Sequence, residues 1–279
     1  KRGFQRISGD STSTVINIAA ATIQSLIIGS LYYNLNPSTD SAFSRSGVLY
    51  FSLLYYSLMG LANIGVSHRL IVSKHKSYSL YHPSAETLAT YISSFPFRLI
   101  GLTVFFIIIY FMSNMNRQPG KFFLNYLFLA LGAETINALF QMITAFTANL
   151  AQANALNGLF LLAMSMYSTY MIQLESMHPW FKWINYLSPL RWMLENMLAV
   201  EFHGRRMECT NLVPSGPGYE AVTEENQVCA FIGSVPGQPW VSGDRYIRIQ
   251  YDFRYSYIWR NFGICLGFFC FYVALNTLA

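Results

Sequence analysis

Lys74-His75-Lys76-Ser77-Tyr78-Ser79-Leu80-Tyr81-His82-Pro83 gathers two ammonium groups, two imidazoles and two phenols into ten residues. Such a set can position a loop or pair with a partner's carboxylates. It is poorly suited to a metal: no carboxylate cluster joins His75 and His82, and no Cys or His pair has zinc spacing. The chain contains no Gly-x-x-x-x-Gly-Lys-Ser/Thr loop, so it cannot cradle ATP phosphates by the usual route. No Ser, Cys or His arrangement suggests a hydrolase. A second candidate is Glu134, a lone carboxylate inside an apolar run, with Asn137 and Gln141 following at helical spacing. A charge at membrane depth is costly and is a functional candidate by default. On one helix face, these three polar residues should turn toward protein or a polar cavity. A buried hydrogen-bond network, with Glu134 partnering a residue on another helix, and a transport role are both open.

The elements that must hold these groups are apolar. Hydrophobic residues make up 53% of the 279 residues and charged ones 11%, against about 25% charged in soluble domains. Mean hydropathy is positive. Six uncharged or nearly uncharged runs approach or exceed the ~18 residues needed to cross a bilayer as a helix. They cover about 15–35, 47–67, 97–113, 122–147, 154–174 and 258–278, with Pro96 expected at the mouth of the third. Lipid offers backbone groups no partners, so the runs are predicted helices, and the fold class is an all-α membrane protein. The chain reads as one domain, 1–279. It begins at Lys1 without an initiator Met, as a segment of a longer polypeptide would.

Lys1, Arg2 and Arg6 precede the first run, and Arg69, Lys74, Lys76 and Arg98 lie between the second and third. The opposite face carries Arg45, Arg117 and Lys121. Cytoplasmic loops are richer in Lys and Arg, which predicts cytoplasmic termini and an external segment at about 175–257. All five Trp residues fall between the fifth and sixth runs, as expected near a membrane–water interface. Met177–Phe202 mixes these rings with charge and reads as amphipathic helix dipping into the outer leaflet, broken near Ser188-Pro189, with a soluble external helix as the alternative. Cys209 and Cys229 lie in the external segment among Gly, Pro and polar residues. In an oxidising compartment they are expected to pair, a bond worth about 3 kcal/mol by chain entropy. Cys265 and Cys270 read as small apolar fillers.

Tyr56, Ser57, Met59, Gly60 and Asn63 in the second run, with Met164, Ser165, Ser168 and Thr169 at the fifth, combine rings, thioethers and hydroxyls. Such side chains suit a pocket for varied apolar ligands. Ordinary helix packing accounts for them equally well.

Several motifs carry a family resemblance. Lys74 to Ala85, Glu201-Phe202-His203-Gly204-Arg205, Val213 to Tyr219, Val228-Cys229, Val235-Pro236-Gly237 and Trp259-Arg260-Asn261-Phe262-Gly263 resemble, in order, fungal pleiotropic drug resistance transporters. These are full-length G-type ABC exporters, and the match is to the first membrane half. The resemblance implies six transmembrane helices, a short cytoplasmic coupling helix, a large external loop with a re-entrant element, and a cavity lined by helices two and five of each half. It implies nucleotide-binding domains, with ATP and Mg, outside this chain. It places Lys74, His75, Lys76, Tyr78, Tyr81, His82 and Pro83 at the surface that receives their movement. Partners would be a second membrane half, two nucleotide-binding domains, the bilayer and hydrophobic xenobiotics or lipids; no nucleic acid is implied. The implied location is the plasma membrane. Ser67 and Ser73 stand where relatives often carry Glu, Gln141 where they often carry Arg, and Glu134 where they are usually apolar. A passive channel or scramblase-like conduit on the same fold is the alternative, and a membrane-embedded enzyme a third.

Overall fold

The computed structural model describes residues 11–62, 78, 83–147, 149–215 and 226–278. Among these residues nine α-helices form: α1 (Ser11–Leu31), α2 (Ser41–Ala62), α3 (Pro83–Met112), α4 (Pro119–Phe146), α5 (Leu150–Met166), α6 (Lys182–Leu187), α7 (Pro189–Phe202), α8 (Gly243–Tyr251) and α9 (Ile258–Leu278). Four short strands, β1 (Arg206–Glu208), β2 (Leu212–Val213), β3 (Val228–Cys229) and β4 (Trp240–Ser242), make two antiparallel pairs, β1 with β4 and β2 with β3. Four helical segments are long and apolar enough to cross a membrane: Thr14–Leu31, Thr87–Met112, Pro119–Phe146 and Tyr255–Leu278.

The other two predicted spans differ. Helix α2 starts at Ser41, ahead of the expected 47, and carries Arg45 within it. Helix α5 has 17 residues, about 26 Å at 1.5 Å per residue, short of a ~30 Å hydrocarbon core. It stops at Met166 rather than near 174 because Asn185 of α6 reaches back. The Asn185 amide donates to Tyr167 O (2.6 Å) and to Thr169 Oγ1 (2.8 Å), while Thr169 turns with φ +69°. The third span is corrected as well. Its helix begins at Pro83, and Pro96 lies inside it rather than at its mouth. An interior proline removes one i→i−4 bond, and here α3 packs closely along α1. That packing is tight at Gly29, where a Cβ would sit 2.8 Å from Met112 Sδ.

The largest departure concerns Met177–Phe202. The break at Ser188 is present, with Ser188 extended before Pro189. The second half, however, is no lipid-dipping helix: all fourteen residues of α7 are buried. It packs chiefly against α4 and α9, then α2 and α8. Interfacial aromatics are confined to the preceding stretch, where Trp180, Phe181 and Trp183 are exposed. The main core therefore surrounds α7, with Leu190, Met193, Leu194 and Met197 sealed against Leu53, Phe128 and Phe140.

The region after α7 folds back on it. Cys209 and Cys229 form the expected disulfide, Cα–Cα 5.8 Å, tying the segment after β1 to β3. Among the other cysteines, Cys265 is buried and Cys270 exposed. Cys229→Ser should lower stability by about 3 kcal/mol, read as a lower melting temperature that reductant no longer changes. Gly243, at the start of α8, lies so close to α7 that an added Cβ would clash with the backbone oxygen of Phe202. Gly243→Ala must displace α8, an overpacking cost of at least about 1–3 kcal/mol. A melting temperature equal to wild type would contradict that close approach.

Candidate functional site

Helix α3 presents Tyr91, Ser94 and Arg98 at helical spacing, on one face. Opposite them, α4 presents Glu134, 8% exposed. Arg98 clasps this carboxylate with two bonds, Nε to Oε1 at 3.0 Å and Nη2 to Oε2 at 2.9 Å. Tyr91 Oη donates to Oε2 at 2.6 Å, and Arg98 Nη1 donates to Ser94 Oγ at 3.0 Å. The guanidinium also lies 4.7 Å from the Tyr91 ring centroid. The bidentate fork is the strongest geometry available to Arg and a carboxylate. The cluster is a neutral, hydrogen-bonded clasp between two helices of membrane-crossing length. Arg98, counted from sequence among the loop cations, is inside α3.

Asn137 and Gln141 do not join it. Asn137 is buried beside Gly60 of α2, where a Cβ would lie 3.6 Å from its Oδ1, and its Nδ2 has no partner among the described residues. Gln141 is half-buried. Neither hydrogen-bonds Glu134.

The residues chosen as cavity candidates are mostly engaged in packing. Ser57 Oγ donates to Leu53 O (2.7 Å), Ser165 Oγ to Leu162 O (2.9 Å) and Ser168 Oγ to Ser165 O (2.8 Å). Ser57, Ser165, Ser168 and Thr169 are all buried, and Met164 is buried in a small cluster with Tyr91 and Tyr272. Tyr56 is half-buried; its hydroxyl donates to Arg98 O at 3.2 Å and its ring meets Phe105 edge-on. Tyr56 thus braces the backbone of the clasp. Met59 and Gly60 are half-buried, and Asn63 lies outside the described residues.

Of the basic island, Lys74, His75, Lys76, Tyr81 and His82 lie outside the described residues. Tyr78 is exposed, and Pro83 opens α3. From Pro83 the helix runs unbroken to Arg98, about 22 Å along its axis. Among the described residues no group of three His, Cys, Asp or Glu side chains could hold a metal ion.

The ABC-2 type transporter family profile matches residues 1–202. The chain belongs to the ABC-2 type transporter family. A second profile, CDR ABC transporter, matches 213–279. Over its full length the chain is 60% identical to the ABC multidrug transporter SNQ2 of Candida glabrata, covering 18% of that protein. It is 59% identical to the ABC transporter ATP-binding protein/permease PDR18 of Saccharomyces cerevisiae, over 99% of the chain and 21% of the relative. Identity to the ABC multidrug transporter atrH of Aspergillus oryzae is 40%, covering 19% of it. The chain spans about a fifth of the length of these relatives. The resemblance to fungal pleiotropic drug resistance transporters is thereby borne out.

This ABC-2 membrane domain holds a second buried ion cluster, built around Arg45, a residue counted from sequence among the loop cations. Arg45, on α2 and 1% exposed, donates to Leu35 O, Asn36 O and Asn114 O and contacts Glu201 Oε1 at 3.3 Å. Glu201, fully buried near the end of α7, also receives Arg205 and the Asn116 N–H. Two turns meet at the same point: Asn34 and Asn114 both have φ near +50°, and Asn114 Nδ2 donates to Asn34 Oδ1 at 3.1 Å. Complete burial raises the Glu201 carboxyl above its ordinary range, and Arg205, Arg45 and the Asn116 N–H oppose that rise. The α1–α2 turn, the α3–α4 turn and the end of α7 are therefore fastened by one ion cluster. Its sequence signal was the Glu201–Arg205 motif, with Glu and Arg four apart.

Proposed function

We propose that this chain is one membrane half of an ATP-driven exporter that moves hydrophobic xenobiotics or lipids out across the plasma membrane. The observation that carries the reading is the match, along the whole chain, to relatives named as ABC multidrug transporters. In this reading α1 to α5 and α9 are the six spans, both termini are cytoplasmic, and 175–257 is external. A second membrane half and two nucleotide-binding domains complete the machine. Those domains hold ATP and Mg, because this chain has no phosphate-cradling loop. The Lys74–Pro83 island docks against one of them. Movement there enters α3 at Pro83, travels along a continuous helix and reaches α4 through the Arg98–Glu134 clasp. Tyr56 carries it to α2, which with α5 borders the substrate path; Ser57, Met59, Gly60, Asn63, Met164, Ser165, Ser168 and Thr169 form or support that border.

Tyr81→Ala and His82→Ala should leave the full-length protein expressed and hydrolysing ATP while transport per ATP falls. The check is simultaneous measurement of drug export and phosphate release. Normal export per ATP in both variants would remove the island from the coupling path.

A further inference from the structure

The two ends of α7 treat their charges differently. Glu201, near the far end, is saturated by Arg45, Arg205 and the Asn116 N–H. Near the start, Arg191 and Glu195 face one another with Nη2 3.7 Å from Oε2. That spacing balances charge but is too long for a hydrogen bond. Both residues are buried, as are Asn196 beside them and Asn261 in the first turn of α9, all at 7% exposure or less.

Several polar atoms in this seam between α7 and α9 stand without partners among the described residues: Arg191 Nε and Nη1, Glu195 Oε2, Asn196 Oδ1 and Asn261 Nδ2. Neither amide can turn to cure this. Asn196 Nδ2 is engaged by Ile258 O at 3.1 Å. Asn261 Oδ1 accepts two bonds from Arg260, at 3.2 and 3.1 Å. Asn261 lies close enough to the Glu195 carboxyl to favour its charged form, yet its Nδ2 does not reach hydrogen-bond geometry. Burial raises the Glu195 carboxyl above its ordinary range, opposed first by Arg191, and lowers the Arg191 guanidinium, opposed first by Glu195. Each charge has its counter-charge and lacks part of its hydrogen bonding. Buried polar groups in folded proteins almost always have a partner.

We infer that ordered water binds in this seam, accepting from Arg191 and Asn261 and donating to Glu195 and Asn196. The orphaned atoms select the occupant. They comprise three donors and two acceptors, and a ligand that satisfies both kinds must itself donate and accept. Arg191 and Glu195 already cancel, so a metal ion would meet the guanidinium and a phosphate would meet the carboxylate. Bridging water closes a polar contact that lies beyond hydrogen-bond reach, and a buried water is held by about three such partners. Water here joins α7 to the first turn of α9 while Arg191 and Glu195 stay apart.

The test uses the full-length protein in lipid nanodiscs, imaged at a resolution that shows ordered water elsewhere in the helix bundle. Density that refines as water should stand within hydrogen-bonding distance of Arg191, Glu195, Asn196 and Asn261. An empty seam in such a map would overturn the proposal, and so would density of an ion or a lipid there. Hydroxyl-radical footprinting reads the same seam in solution, because radicals made from bound water oxidise the side chains beside it. The Trp192 ring lies 4.2 Å from the Arg191 guanidinium, whereas fully buried Met193 packs against Gly132 of α4. Trp192 should be oxidised and Met193 spared. Arg191→Met/Glu195→Leu removes polar atoms from the seam and should lower Trp192 oxidation severalfold. Trp192 spared in the wild type, or oxidised equally in that variant, would count against bound water. Where the variant fails to fold, the wild-type map decides.

Discussion

Glu201→Ala is expected to destabilise the protein by about 3–5 kcal/mol, a large fraction of the stability of a folded domain and therefore a strongly lowered melting temperature. The residue is fully buried and bonds Arg45, Arg205 and the Asn116 N–H together. Removing it leaves the Arg45 guanidinium in the interior without its counter-charge, and an uncompensated buried charge is among the costliest defects a fold can carry. Arg45 would keep its carbonyl partners, Leu35 O, Asn36 O and Asn114 O, so the turns should loosen rather than separate. Arg205→Ala should cost less, because Glu201 keeps Arg45. Thermal unfolding of the full-length protein in detergent checks the order. Equal melting temperatures for Glu201→Ala and wild type would show that the cluster does not fasten the turns.

The second large effect lies at the clasp. Arg98→Met leaves Glu134 charged and nearly enclosed between α3 and α4, with Tyr91 as its remaining donor. A loss of about 3–5 kcal/mol is again expected. The double variant Arg98→Met/Glu134→Leu removes both charges and should recover most of that loss, since a buried pair replaced by apolar residues is often neutral. The recovery measures the coupling between the two residues directly. Export separates the structural role from a role in transport. If the clasp also faces the substrate path, Glu134→Gln changes the preference between cationic and neutral compounds. An unchanged profile with a lowered melting temperature assigns Glu134 to helix fastening alone.

Glu134 was legible from sequence because a lone carboxylate in an apolar run has no cheap solution. Its partner was not, because Arg98 stands at the very start of the run predicted from 97, where a cation is ordinarily solvated, and it was counted with the loop cations. The helix in fact starts well before that, at Pro83. Arg45 was missed for a related reason: a cation near a span end is ordinarily solvated, and only the fold shows Glu201 opposite it. Helix α7 misled because rings and charges in alternation look amphipathic. Its charges are compensated in the interior, Arg45 with Glu201 and Arg191 with Glu195, so every face could be buried. The serines of α2 and the α5 segment have the composition of a binding pocket. Their hydroxyls nevertheless bond carbonyls three or four residues back, a choice made by local geometry rather than residue type. The cysteine pair, by contrast, needed only compartment and loop context.

The proposal to be tested is that ATP hydrolysis in the full-length protein drives export through this membrane half. Inside-out vesicles holding the full-length protein test it most directly, through accumulation of a hydrophobic fluorescent drug with and without ATP. Uptake against a concentration gradient is expected, requiring hydrolysable ATP and collapsing when hydrolysis is blocked. Equilibration of the drug across the vesicle membrane at the same rate with and without ATP would contradict it and identify a passive conduit.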